Sequence, residues 1–167
     1  MKFFSGFCLK GESELFDKYL SDTKNCVAGF SYGAIKAFEY VYNSNPKIER
    51  LILISPAFFQ DKNSRYKELQ LRAFNKDKER YIKKLFKDIS QDLDMSKYKN
   101  CCTKEQLTKL LYYNWDIKKI KTVLERGIKI EVILGENDKV INASNAKDFF
   151  SPLVDTKFIK EANHLIS

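Results

Sequence analysis

A chain of 167 residues, 44% apolar and 14% aromatic, can bury a core of its own without metals or disulfides, and it has no glycine-rich or proline-rich tract, which excludes disordered and fibrous classes. No run approaches the roughly 18 apolar residues that a membrane span needs, and Lys10 interrupts the opening MKFFSGFCLKGE too early for a secretory signal. The net charge is +8, and residues 60–115 hold 14 Lys+Arg against 8 Asp+Glu, so most of the excess is local.

These features place the expected location in the cytoplasm, with no membrane partner. Cys8, Cys26, Cys101 and Cys102 form no CxxC pair, and a single histidine leaves few ligands for a zinc site. The cysteines read as reduced thiols, mostly core filler, and neither metal nor cofactor is expected.

In chain order, MKFF (1–4) is a short apolar strand candidate, followed by a helical stretch in which Leu15, Phe16, Tyr19 and Leu20 share one face. NCVAGF (25–30) is the next strand, and Ile35, Phe38 and Tyr42 then recur at helical spacing. LILISP (51–56) reads as a buried strand that Pro56 stops. Residues 60–113 change texture: they are charged, with helical patterns at Tyr81, Ile82, Leu85, Phe86 and Ile89 and again at Leu107, Leu110 and Leu111. The rhythm resumes with Ile117, Ile120 and Leu124 on a helix, IKIEVILG (128–135) as the strongest strand, Ala146, Phe149 and Phe150 on a helix, and TKFIKEA (156–162) as the weakest strand. Alternation of this kind predicts an α/β fold: one domain over 1–167, with a mostly parallel sheet of about five strands, right-handed crossovers, and a helical cap inserted at 60–113.

Gly29-Phe30-Ser31-Tyr32-Gly33 stands where a strand runs directly into a helix. That context is what a nucleophile elbow requires: glycines permit a sharp turn, and the serine projects alone at the carboxyl edge of the sheet. A serine hydroxyl is a poor nucleophile at neutral pH, so a base and an orienting acid must follow. His164, the single histidine, comes after the last predicted strand, as the order serine, acid, histidine demands. The acid belongs after the penultimate strand, where Gly135-Glu136-Asn137-Asp138 offers Asp138 at the loop tip. Glu136 and, after an earlier strand, Asp61 are the alternatives. Backbone N–H groups of Tyr32 and of Phe7, in the Ser5-Gly6-Phe7 loop after the first strand, are the candidate oxyanion donors. Gly6-Phe7-Cys8-Leu9-Lys10-Gly11 begins like a phosphate loop but continues with Glu12 and Ser13, so no phosphate cradle is expected.

Together these residues resemble the α/β-hydrolase superfamily over the chain outside residues 60–113. More specifically, FFSGF, GFSYGAIKAFEYVYN, GIKIEVILGENDKV and FFSPLVDTKFIKEANHL resemble the compact pimeloyl-acyl carrier protein methyl ester esterases of biotin synthesis. The resemblance implies a triad of Ser31, Asp138 and His164, and hydrolysis of the methyl ester at the far end of a seven-carbon acyl chain held as a thioester on an acidic carrier protein. Basic side chains of the cap, Arg65, Lys67, Arg72, Lys76, Arg80, Lys83 and Lys84, would steer that carrier. The sequence departs from the superfamily in four ways. Ser5-Gly6 replaces the usual His-Gly, the two leading strands are missing, only one helix is expected between the first strand and the elbow strand, and the closing helix after His164 is missing or cut away. An esterase or thioesterase for small free esters and a non-catalytic hydrolase-fold binding protein are the competing readings. Nucleic-acid binding, raised by the basic charge alone, has no accompanying motif and is not expected.

Overall fold

A computed structural model describes residues 1–20 and 25–167. Five strands, β1 (Lys2–Phe4), β2 (Cys26–Phe30), β3 (Arg50–Ile54), β4 (Lys129–Gly135) and β5 (Asp155–Ile159), form one sheet in the order β1-β2-β3-β4-β5, with every neighbouring pair parallel. The central strands read CVAGF, RLILI and KIEVILG because both of their faces are covered, and apart from their first residues they are almost wholly buried. The edge strands β1 and β5 are only partly buried. β3 ends at Ile54, ahead of Pro56, because Ser55 takes a left-handed backbone angle (φ 40°).

Three helices cover one face: α1 (Tyr32–Ser44), α5 (Ile117–Glu125) and α6 (Ala143–Phe150). They bring Ile35, Phe38, Ile120, Val123, Ala146 and Phe150 onto Val27, Leu51, Leu53, Ile130, Val132 and Leu134. The other face, built from Ala28, Phe30, Ile52, Ile54 and Ile133, is covered by Phe16 of the β1–β2 connection and by Leu165 and Ile166 near the C-terminus. Between β3 and α5 lie α2 (Ser64–Lys76), α3 (Lys78–Ile89), a 3-10 turn (Met95–Tyr98) and α4 (Lys104–Tyr112), which reach both apolar clusters. Among the described residues no helix is long and apolar enough to cross a membrane.

Two expectations fail in the β1–β2 connection. The stretch around Leu15, Phe16, Tyr19 and Leu20 forms a 3-10 turn over Glu12–Phe16 followed by further turns, not an α-helix. It starts at left-handed Gly11 without a side-chain cap, and its first residue, Glu12, is drawn inward to the Gly6 N–H. Uniform handedness fails as well. All four connections step one strand in the same direction, yet the described residues Leu9, Leu15, Phe16, Tyr19 and Leu20 of this one pack on the opposite face from the helical three, which gives it the opposite hand. The usual preference comes from packing a helix back onto the sheet, and this segment has none.

The reading of all four cysteines as reduced thiols is also corrected. Cys8 and Cys102 form a disulfide, Cys26 is a buried thiol and Cys101 an exposed one. The partners are 94 residues apart in sequence, so only the fold that lays residues 98–100 beside 8–10 reveals the pair.

Candidate active site

At the carboxyl edge of the sheet β2 passes straight into α1, and Ser31 is the hinge, with φ 54° and ψ −117°. A non-glycine residue in such a conformation costs of order 1–3 kcal/mol and persists only where its surroundings enforce it. The flanking glycines enforce it here. A Cβ on Gly29 would stand 2.2 Å from the Gly33 carbonyl oxygen, and one on Gly33 would stand 1.9 Å from that of Phe4. At positions 29 and 33 the backbone is therefore packed too closely for any side chain. The Ser31 N–H donates to Ile54 at 2.9 Å and its carbonyl accepts from Ala57 at 3.2 Å, tying the turn to the end of β3.

The other five α-helices begin with a side-chain cap: Asn63, Asp77, Thr103, Asp116 and Asn142 each accept from a backbone N–H in the first turn. Ser31 occupies the same position on α1 and makes no such bond. Its hydroxyl has no protein partner among the described residues, and it lines a cavity of about 410 Å³. Phe7, Phe59, Leu69 of α2, Leu85 of α3 and Leu107 and Leu111 of α4 give that cavity its apolar walls.

His164 lies beyond β5, fully buried, with its ring 5.0 Å from that of Phe30, the residue before Ser31. Its Nδ1 is 2.5 Å from Asp138 Oδ2, both side chains being inaccessible to solvent. Asp138 is itself held: Oδ1 accepts from the Val140 and Ile141 N–H groups at 2.7 and 3.0 Å. The loop that carries Asp138 meets the one that carries His164 at Gly135, where a Cβ would be 2.2 Å from the Asn163 carbonyl oxygen. His164 Nε2 is buried and has no protein partner, so no hydrogen bond joins it to Ser31 in this structure. Of the alternative acids, Glu136 is exposed and accepts from the Glu161 N–H, and Asp61 accepts from Asn145 beside Lys62. Neither bonds the imidazole.

The two candidate oxyanion residues sit side by side, their rings 6.4 Å apart. Among the described residues neither the Phe7 nor the Tyr32 N–H donates to a protein acceptor. The seven basic residues named above lie along α2 and α3. Lys67 is half-buried, 5.0 Å over the Tyr112 ring, and the other six are exposed. Lys84 alone borders the cavity, and it pairs with Asp88 at 2.5 Å.

Two residues of the site escaped the sequence reading. Ser55 is fully buried and donates to the His164 carbonyl at 2.7 Å, pinning the histidine's backbone to the end of β3. Glu12 is fully buried and accepts from the Gly6 N–H at 2.7 Å, while its Oε2 has no partner. Serines and glutamates in loops are common, and nothing in their spacing marks these two. On α1, burial pushes the Lys36 ammonium below its ordinary pKa, with the charge of Glu12 acting the other way.

No protein-family model matches the chain, and no curated protein matches it in sequence. Solved structures do. Naproxen esterase from Bacillus subtilis superposes with a TM-score of 0.55 at 17% identity, over 85% of this chain and 54% of its own. Carboxylesterase CesB from the same organism gives 0.57 at 19%, over 93% and 58%. MenH from S. aureus gives 0.62 at 14%, over 97% and 85%. The chain spans a little over half the length of the two Bacillus esterases. With its five parallel strands and flanking helices, it has a minimal α/β-hydrolase fold.

Proposed function

We propose that the chain is a serine carboxylic ester hydrolase in which Ser31 is the nucleophile, His164 the general base and Asp138 the orienting acid. One observation carries this reading: an uncapped serine, held in strained backbone and lining a largely apolar cavity, shares its sheet edge with an imidazole whose Nδ1 is engaged by a buried carboxylate and whose Nε2 has no partner. Asp138 holds the proton on Nδ1, so Nε2 presents a lone pair. Ser31 Oγ attacks the ester carbonyl carbon as Nε2 takes its proton. The Tyr32 and Phe7 N–H groups stabilise the oxyanion, and the imidazolium returns the proton to the departing alkoxide. Water, deprotonated by the same nitrogen, then hydrolyses the acyl-enzyme. Hydrogen bonds of this kind are often long without substrate and close as it binds, which accommodates the open Ser31–His164 contact.

The substrate we propose is the methyl ester of pimeloyl-acyl carrier protein, cleaved to the free carboxylate and methanol. A cavity of about 410 Å³ falls in the range of small-ligand sites, and its apolar walls suit a methylene chain. The 60–113 segment acts as the cap over Ser31, with its cationic side chains steering an acidic carrier. The thioester is spared by reach, because a carrier docked outside delivers only the far end of the acyl chain to Ser31. The carboxylesterase neighbours favour the broader alternative, hydrolysis of small free esters.

Mass spectrometry of methyl-pimeloyl carrier protein after incubation separates these readings. The expected result is loss of the methyl group with the thioester retained, in wild type and not in Ser31→Ala. Equal efficiency on a short free methyl ester removes the carrier from the proposal. Wild type that a fluorophosphonate does not label removes the serine hydrolase.

A further inference from the structure

Among the described residues only two buried side-chain polar atoms lack a hydrogen-bond partner: His164 Nε2 and Glu12 Oε2. Buried polar atoms are almost always satisfied, so each exception asks for a reason. The first has one in the base role. The second belongs to a carboxyl group on the other side of the site, beneath the loop after β1.

That loop is held by main-chain contacts at its far end. The Asn100 N–H donates to the Cys8 carbonyl, the Lys10 N–H donates to that of Tyr98, and the disulfide joins Cys8 to Cys102. Its near end is set by Gly33, whose α-carbon sits against the carbonyl oxygens of Phe4 and Ser5. Between these anchors lies Gly6, which has the widest conformational freedom of any residue type. A Cβ there would press to 3.1 Å against both Leu9 and the Phe30 ring, so a bulkier and stiffer residue fits only if those side chains give way. The Glu12 carboxylate is the side chain that holds this weak point, through Oε1 on the Gly6 N–H at 2.7 Å. Fixing that N–H fixes the plane of the peptide between Ser5 and Gly6. The next peptide is the one whose N–H belongs to Phe7, and its carbonyl, that of Gly6, accepts only a long bond from the Leu9 N–H at 3.3 Å.

We infer that Glu12 is a positioning residue for ester hydrolysis: by holding the Gly6 N–H it keeps the Phe7 N–H aimed at the oxyanion formed on Ser31. This rests on the serine-hydrolase reading above. A donor aimed before the reaction lowers the barrier because no reorganisation is needed as charge develops. A loop left with only that long Leu9 bond at Gly6 keeps the same N–H but holds its direction less firmly, so turnover falls while ground-state binding in the cavity persists.

The test is steady-state hydrolysis of a short p-nitrophenyl ester by wild type, Glu12→Ala, Glu12→Asp and Glu12→Gln. Each rate is expressed per reactive serine, from the end-point stoichiometry of fluorophosphonate labelling. Glu12→Ala is expected to lose at least about tenfold in kcat with KM changed less than about threefold. The order of the other two carries the inference even where the alanine variant fails to fold. Gln retains an oxygen at the same reach and recovers most of the loss, whereas Asp keeps the charge but is one methylene too short and does not. A flat kcat across the series, or Asp performing better than Gln, overturns the inference while leaving the hydrolase intact. Wild type that does not react with the probe overturns the hydrolase reading and this inference with it.

Discussion

Ser31 is costly to hold where it stands, and the residues around it have given up side chains to hold it. Gly29 and Gly33 meet backbone at 2.2 and 1.9 Å from where a Cβ would be, so the turn is a packing constraint before it is a catalytic one. The histidine is constrained along its whole length: Ser55 holds its carbonyl at 2.7 Å and Asp138 its Nδ1 at 2.5 Å. The consequence is testable at Asp138. Asp138→Asn presents an amide to Nδ1 and favours the tautomer that carries its proton on Nε2, leaving Ser31 without a base. Ester hydrolysis should fall by about 10³–10⁴-fold in kcat with little change in KM. A loss below about tenfold would place the orienting acid elsewhere, with Asp61 the next candidate. That Ser31 and His164 stand at one edge of the sheet was legible in chain order, because each follows a strand and strands of a parallel sheet end at one edge. Asp138 was legible as the tip of the loop after β4. The contacts of Glu12 and Ser55 were not, since both are made to backbone atoms supplied by other segments.

At the scale of elements, short-range chemistry accounts for most boundaries. Asn63, Asp77, Thr103, Asp116 and Asn142 begin their helices with side-chain bonds to first-turn N–H groups, and the apolar runs at 26–30, 51–54 and 130–135 become buried strands. The β1–β2 connection departs from its local pattern because Glu12 is bound to the loop before it instead of to its own turn. β4 carries another buried carboxylate. Glu131, with 4% of its side chain exposed, accepts from Arg50 of β3 at 2.8 Å and faces Lys157 of β5 at 3.5 Å, joining three strands. Burial pushes its pKa up, but the bond from Arg50 and the cations of Arg50, Lys129 and Lys157 win, so it is held below its ordinary value near 4.5. A depressed carboxylate contributes stability that is fully present above that ordinary value and is lost as pH falls through the depressed one. Glu131→Ala should cost about 2–3 kcal/mol in urea unfolding at pH 7, below the range for a fully buried pair because Arg50 is partly solvated. The gap between wild type and variant should narrow below about pH 4.5. A gap that stays constant with pH would mean that the cost is packing alone.

For the molecule as a whole, the disulfide is the covalent long-range decision in the fold, joining residues 94 apart in sequence. Cys8 stands beside Phe7 and Cys102 just ahead of the Thr103 cap of α4, so one bond joins the loop at the sheet edge to the helix that supplies Leu107 and Leu111 to the cavity wall. Closing a loop that long restricts the unfolded chain, and dithiothreitol should lower stability by about 2–4 kcal/mol in thermal or urea unfolding. The Cys8→Ala/Cys102→Ala variant should not respond to it. Equal melting of wild type with and without reductant would show the pair to be thiols in solution.

Composition and hydrophobic period determined by themselves that the chain alternates strands with helices, that it interrupts them at 60–113 with a charged helical segment, and that a serine stands on a glycine-flanked turn ahead of a lone histidine. These are properties of neighbours a few residues apart, where sterics and burial act through the local chain. The partner of Cys8, the face taken by the β1–β2 connection, the buried carboxylate under Gly6 and the serine behind His164 were decided only by the tertiary structure. Each depends on which distant backbone atom arrives within about 3 Å, and hydrogen bonds and disulfides are too short in range and too strict in direction for sequence spacing to predict across a long loop.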